Sequence, residues 1–174
     1  MISSLPRIPG VRLSPGVVNA DRRGFFTEVF REGDLGMRFV QANHSHSEAG
    51  VLRGLHYHRR QSDAWYMVSG TAQVALADLR DAGSPPVVAT LELTGGQPAT
   101  LLIPPGVAHG FLALTDIDLI YWVTQPYDAS DEFGVAWDDP ALRVPWARND
   151  PILSDRDASA PRLPQPAEGG ARAG

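Results

Sequence analysis

Apolar and polar positions fall into short runs along most of the chain, each closed by turn residues. Gly24–Phe30 (GFFTEVF) is aromatic and extended in character, and Phe39–Ser47 (FVQANHSHS) alternates in part. Val51–His58 follows. Ala64–Leu79 (AWYMVSGTAQVALADL) reads as two strands turning at Ser69-Gly70, a hairpin pattern. Gly83-Ser84-Pro85-Pro86 turns into a strand over Val87–Leu93, and Gly95-Gly96 turns into Ala99–Ile103. Pro104-Pro105-Gly106 is a tight turn leading to Ala108–Leu114, and Thr115-Asp116 leads to Asp118–Thr124. Short strands punctuated in this way predict an all-β sandwich or barrel. Residues 1–14, rich in Pro and Gly, read as irregular, and Arg31–Met37 carries the one short helical signal. From Ala158 the composition turns to Ala, Pro and Gly, that of a mobile tail. One domain is therefore expected over 1–157, with a tail over 158–174.

Composition narrows the function classes. A chain of 174 residues with 43% apolar and 20% charged residues suits one soluble domain with a sizeable core. No apolar run approaches a membrane span, and the N-terminus lacks a signal-peptide core, so a cytoplasmic protein without a membrane partner is expected. A net charge of −5 argues against nucleic acid as a partner, which needs a basic surface. A small anion needs only a local arginine cluster. With no cysteine, disulfides, thiolate nucleophiles and Cys-ligated metals are excluded. All 15 basic residues are arginine, so lysine Schiff-base chemistry is excluded as well.

The candidate chemistry begins in Gly50–Asp63 (GVLRGLHYHRRQSD). In a strand, residues two apart share a face, so His56 and His58 point one way and Tyr57 the other. Two such histidines are solvated polar residues, an acid–base pair or metal ligands, and the spacing leaves all three open. A second stretch, Pro104–Phe111, delivers His109 at the start of a strand. There it either caps the strand at the surface or faces the same cavity as His56 and His58.

Seven motifs in order sharpen this reading: Asp21–Glu28 (DRRGFFTE), Gln41–Ser45 (QANHS), Gly50–His56 (GVLRGLH), Asp78-Leu79-Arg80, Ile103–Phe111, Trp137–Pro140 and Leu153–Asp157 (LSDRD). Together they resemble the dTDP-4-dehydrorhamnose 3,5-epimerase family, the RmlC type of cupin jelly roll, over roughly residues 15 to 160. The resemblance implies an all-β cupin jelly-roll barrel with short peripheral helices, a homodimer, a dTDP-linked 4-keto-6-deoxy sugar as ligand and no cofactor. It also implies that an early strand carries Arg23 towards the partner's pocket. By position, His56 matches the family's catalytic base, Asp157 the carboxylate paired with it, and Tyr127 the tyrosine that returns a proton from the opposite face. Arg23, Phe26, Glu28, Gln41, Asn43 and Arg53 match positions that hold the nucleotide and its phosphates, and His109 matches a pocket histidine. The residue types suit the task. A neutral imidazole backed by a carboxylate is a suitable base near neutral pH, and arginines offer forked donors to a diphosphate.

The chain departs from the family pattern at Asp63, a substrate-site position where the family carries a lysine facing the sugar. A carboxylate there has the wrong sign for a developing oxyanion. His58 stands where the family often has glutamine. His56, His58, Asp63 and His109 together resemble the ligand pattern of metal-binding cupins, a set suited to Fe, Mn, Ni or Zn. A metal-dependent cupin isomerase or oxygenase is thus the alternative to a cofactor-free epimerase, and a non-catalytic sugar-nucleotide-binding protein is the third reading.

Overall fold

The computed structural model of the chain describes residues 8–31, 33 and 35–164. In chain order its strands are β1 (Arg12–Pro15), β2 (Val18–Asp21), β3 (Gly24–Thr27), β4 (Gln41–Ser47), β5 (Leu52–Tyr57), β6 (Asp63–Ser69), β7 (Thr71–Asp78), β8 (Val87–Thr94), β9 (Ala99–Ile103), β10 (Val107–Ala113), β11 (Ile117–Val123) and β12 (Phe133–Gly134). A turn of 3₁₀ helix covers Ala129–Asp131, and a short helix, α1, covers Asp155–Ala158. Two five-stranded antiparallel sheets form, in the orders β1-β9-β6-β11-β4 and β12-β5-β10-β7-β8. From β4 onwards the chain changes sheet at every connection except β7 to β8, which gives the jelly roll. Among the described residues, no helix is long and apolar enough to cross a membrane.

Strand periodicity builds the core. Trp65 and Met67 of β6, Val74 and Leu76 of β7, Leu101 and Ile103 of β9, Phe111 of β10 and Leu119 of β11 point between the sheets and form one cluster. Each buried side chain of this size is worth roughly 1.5–3 kcal/mol. The alternate positions are buried too. Leu55, Ala75, Ala77 and Ala108 pack outside the second sheet against Val135 and Leu142. Ala64 and Leu102 pack outside the first against Leu35, Phe30, Phe39 and Trp122. Coverage on both faces explains why these strands read as nearly continuous apolar runs rather than strict alternation.

Three expectations change. β1 lies within the stretch read as irregular. It is an edge strand, held from Arg12↔Leu102 to Pro15↔Ala99, and a terminal proline is tolerated there because it has no N–H to pair. Arg31–Met37 carries no helix among its described residues. Residues 33 and 35–37 form turns and bends, and Leu35 and Met37 spend their hydrophobicity on tertiary packing instead. The ordered chain also runs past 157: the Ala136 amide donates to the Pro161 carbonyl at 2.9 Å, and Leu163 packs on the second-sheet cluster. The remainder of the expected tail, 165–174, lies outside the described residues.

β2 and β3 form a separate two-stranded ribbon. It displays Phe25 and Phe26, which are 61% and 68% exposed, next to Val17 at 73%.

The ladder between β5 and β10 sets the geometry of the cavity. His109 pairs with His56 and Phe111 with Arg53, so β5 carries one extra residue between the two pairs. The bulge lies at Gly54-Leu55. Gly54 has φ +125°, and a Cβ there would sit 2.7 Å from the Gly110 Cα. Gly54→Ala is therefore expected to destabilise the fold by about 2–3 kcal/mol, through overpacking added to backbone strain. Gly96 has φ +81°, and a Cβ there would find no atom within 4 Å, so only the backbone strain applies. Gly96→Ala should cost about 1–2 kcal/mol. Urea unfolding midpoints of the two variants check the ranking; equal losses would show that the contact between Gly54 and Gly110 is slack.

Candidate active site

A cavity of about 520 Å³ opens between the sheets at one end of the barrel. Its walls take Gln41, Asn43, Asp63, Trp65 and Tyr121 from the first sheet and Arg53, His56, His109 and Phe111 from the second, with His58 just beyond β5. The extra residue in β5 brings Arg53 and His56 to the same face although they are three apart, and turns Leu55 outward into the second-sheet cluster.

His56 meets the chain's C-terminal part. Val51 bridges to Ile152, and the Leu52 amide donates to the Ile152 carbonyl at 2.9 Å, which docks this segment along β5. Ser154 then caps α1, its Oγ accepting from the Asp157 amide at 3.1 Å. Asp157, 5% exposed, presents Oδ1 to His56 Nε2 at 2.6 Å. Burial pushes the Asp157 carboxyl up. The hydrogen bond and charge of His56, with the Gly54 amide and Ser154, outweigh burial and hold the group below its ordinary value. Because the carboxylate accepts, Nε2 carries the proton and Nδ1 the lone pair in the neutral ring.

A second polar group lies deeper. Asp63 opens β6 and is 4% exposed. Gln61 Nε2 donates to its Oδ1 at 2.7 Å, while Oδ2 lies 3.0 Å from His109 Nε2 and 4.0 Å from His58 Nε2. Burial pushes the Asp63 carboxyl up, but the hydrogen bond and charge of His109, the charge of His58 and the Gln61 amide bring it below its ordinary value. Trp65 stands edge-on to the His109 ring at 5.3 Å between centroids. The four-residue set His56, His58, Asp63 and His109 thus divides. His58, Asp63 and His109 gather their ligand atoms within 4.8 Å of one another, whereas His56 is turned to Asp157.

The other expected residues separate into two places. Gln41, Asn43, Arg53 and Tyr127 line the cavity. Arg53 is oriented by Ser47 Oγ at 2.9 Å and the His46 carbonyl at 3.1 Å. Tyr127, 70% exposed at the mouth, is tethered by its amide to Gln41 Oε1 at 3.2 Å. Arg23, Phe26 and Glu28 lie away from the cavity of their own chain. Arg23 pairs with Asp21 on the ribbon at 2.6 Å, Phe26 is exposed, and Glu28 pairs with Arg31 at 2.6 Å. The reason is topological: β2 and β3 pair only with each other.

Tyr121 and Asp131 belong to the site without being marked by any motif, and Arg156, inside the LSDRD motif, is not singled out by it as a site residue. Tyr121 shares the parity of Leu119 and Val123 on β11, the one signal that could have found it. Burial, then the charges of Asp63 and Glu132, raise its phenol above the ordinary value. Asp131 accepts the Arg59 and Arg60 amides at 3.0 and 3.1 Å and offers its carbonyl to His58 Nδ1 at 2.7 Å. Arg156 lines the cavity and pairs with Glu132 at 2.6 Å. Nothing in local sequence brings 131 to 58; the fold does.

The Asp157 shift makes a stability prediction. A carboxyl with a depressed folded-state value stabilises the fold above its unfolded value, near 3.9, and that contribution is lost as pH falls through the folded value. Asp157→Asn should therefore be less stable than the wild type at neutral pH, and the difference should shrink in acid below the ordinary carboxylate range. Thermal unfolding of both proteins across that range checks it; a gap that stays constant with pH would show that Asp157 is not ionised against His56.

Comparison with known proteins agrees with this geometry. The family model described as dTDP-4-dehydrorhamnose 3,5-epimerase matches residues 6–165. The spore coat polysaccharide biosynthesis protein SpsL of Bacillus subtilis is 39% identical over 145 residues, covering 80% of this chain and 96% of SpsL. The crystal structure of dTDP-6-deoxy-D-glucose-3,5-epimerase RmlC from Legionella pneumophila, in complex with dTDP-4-keto-L-rhamnose, superposes with a TM-score of 0.83 at 34% identity, covering 90% of this chain and 89% of that one. ChmJ, a 3′-monoepimerase from Streptomyces bikiniensis solved with dTDP-quinovose, gives 0.84 at 30% identity, with 90% and 85% covered. With the jelly roll, the cavity and a family match along nearly its whole length, this chain belongs to the dTDP-4-dehydrorhamnose 3,5-epimerase family.

Proposed function

We propose that the protein epimerises a dTDP-linked 4-keto-6-deoxyhexose in deoxysugar biosynthesis, inverting C3, C5 or both, with His56 as base and Tyr127 as acid. The observation that carries this reading is the 2.6 Å contact between His56 and a buried Asp157 on the cavity wall. A proton on the carbon beside the C4 ketone is acidic because its loss gives an enolate. His56 Nδ1 takes it, and Asp157 stabilises the resulting imidazolium and fixes the tautomer. Tyr127, at the mouth, returns a proton from the opposite face, and the centre inverts. Protons leave and return with no change of oxidation state, so the step calls on no redox cofactor.

Arg53 takes one part of the diphosphate by charge-assisted hydrogen bonds. Arg23, Phe26 and Glu28 serve the cavity of a second copy: the ribbon that carries them shows its aromatic side chains to solvent, and two copies exchanging ribbons would cover that surface. A homodimer follows from this arrangement.

The reaction is tested with dTDP-4-keto-6-deoxyglucose in D₂O, following deuterium incorporation and product configuration by NMR. The wild type incorporates deuterium at the inverted positions, which also identifies them. His56→Ala abolishes incorporation. Asp157→Asn lowers it by about 10²–10⁴-fold, the range for a histidine deprived of its carboxylate. Tyr127→Phe still exchanges but inverts poorly. Full exchange by His56→Ala would remove the base assignment.

Nucleotide binding makes a separate test. Arg23→Ala and Arg53→Ala should each weaken dTDP binding by more than about tenfold, since each removes a charge-assisted pair. Calorimetry reads the affinity, and light scattering reads the dimer. Unchanged affinity in both variants, or a monomer at micromolar concentration, would refute this placement of the ligand.

A further inference from the structure

The chemistry of the deeper polar group points to a ligand of its own. His109 Nδ1 lies 2.9 Å from the Val107 carbonyl, and His58 Nδ1 lies 2.7 Å from the Asp131 carbonyl. A carbonyl oxygen only accepts, so both Nδ1 atoms carry protons. In the neutral rings, both Nε2 atoms then present lone pairs, and both face Asp63 Oδ2. Three electron-rich atoms converge at a buried spot on the cavity wall. A positive charge placed between them would be held by all three.

A proton on His109 Nε2 would satisfy the 3.0 Å contact to Asp63. It would leave His58, whose Nε2 is 4.0 Å from Oδ2 and beyond hydrogen-bond length, facing the same carboxylate oxygen. A metal ion meets all three at once. Ligands held at about 2.0–2.2 Å from one ion lie roughly 3 to 4 Å apart at tetrahedral to octahedral angles. The ligand atoms of His58, Asp63 and His109 lie within 4.8 Å of one another, so a small side-chain rotation closes the set. The surroundings match a metal site as well. Each imidazole donates its remote N–H to a backbone carbonyl, and Asp63 is held by Gln61 at 2.7 Å, the outer contacts that orient metal ligands.

We infer that His58, Asp63 and His109 bind a divalent first-row transition metal through His58 Nε2, His109 Nε2 and Asp63 Oδ2, with its remaining positions open to the cavity. Two imidazoles and one carboxylate suit Zn, Fe, Co, Ni or Mn. The site does not use His56, so a metal and the His56–Asp157 base coexist, each with its own ligands. A metal there would meet the substrate's ketone oxygen as a Lewis acid, in a protein that has no lysine to supply positive charge.

The test needs no substrate, so its outcome is independent of the epimerase reading. The full-length protein, stripped with chelator and dialysed, is titrated with Co²⁺ while visible d–d absorption is recorded. Zn²⁺ binding is measured by calorimetry. One equivalent of Co²⁺ should bind with a ligand-field spectrum, displaced by Zn²⁺. Asp63→Asn and His58→Gln should each weaken Zn²⁺ binding by about 100-fold or more, at least the loss seen when outer-shell partners are removed. His56→Ala should bind as the wild type does. Near-UV circular dichroism shows which variants are folded, and the wild-type titration stands without them. Absence of stoichiometric binding by the folded wild type overturns the inference and leaves a protonated His109–Asp63 pair. Binding that survives in folded Asp63→Asn and His58→Gln also overturns it, as does loss of binding in His56→Ala.

Discussion

The pairing of β5 with β10 fixes what this barrel can do. One extra residue on β5, accommodated because Gly54 and Gly110 lack side chains where the strands close up, changes which side of the sheet each neighbour faces. Without it, Arg53 and His56 would point to opposite faces, since strands alternate. With it, a guanidinium and an imidazole share one cavity wall, and Leu55 is released to anchor the C-terminal segment on the outside. That same segment returns Asp157 to His56. Packing on one face of the sheet thereby orders chemistry on the other.

Carboxylates carry much of the site's electrostatics. Asp63, Asp131 and Asp157 are all buried, at 4–5% exposure, and burial alone would push each carboxyl up. Each is instead given donors: imidazoles for Asp63 and Asp157, backbone amides for Asp131. Asp63 and Asp157 engage different histidines, although His56 and His109 face each other across the ladder. Two neighbouring imidazoles are thus held by separate acids, His56 by Asp157 and His109 by Asp63.

Much of this was legible in the sequence. Turn residues and the short runs between them located β4 to β11 within a residue or two, and the shared parity of His56 and His58 carried through to the cavity. What was not legible depended on distance. Pro15 and its neighbours look irregular until β9 lies beside them. The apolar residues of Arg31–Met37 suggest a helix but are used to cover Ala64 and Leu102. Asp131 reaches His58 only through folding, and Ala158–Pro164 looks like tail because Ala and Pro rich composition does not show that Leu163 has a place to dock. At the site, the motifs marked both the pairing of His56 with Asp157 and the four potential ligands, but spacing did not show that Asp63 would gather His58 and His109 and leave His56 apart.

The route of Asp157 to His56 also sets an order of assembly. A chain grows from its N-terminus, and the ten strands of the two sheets, β1 and β4 to β12, all precede α1. Both sheets can close around the cavity while the carboxylate that pairs with His56 is still to come. The helix that carries Asp157 follows every strand of the cavity walls, so His56 acquires its carboxylate partner only after those walls have been made.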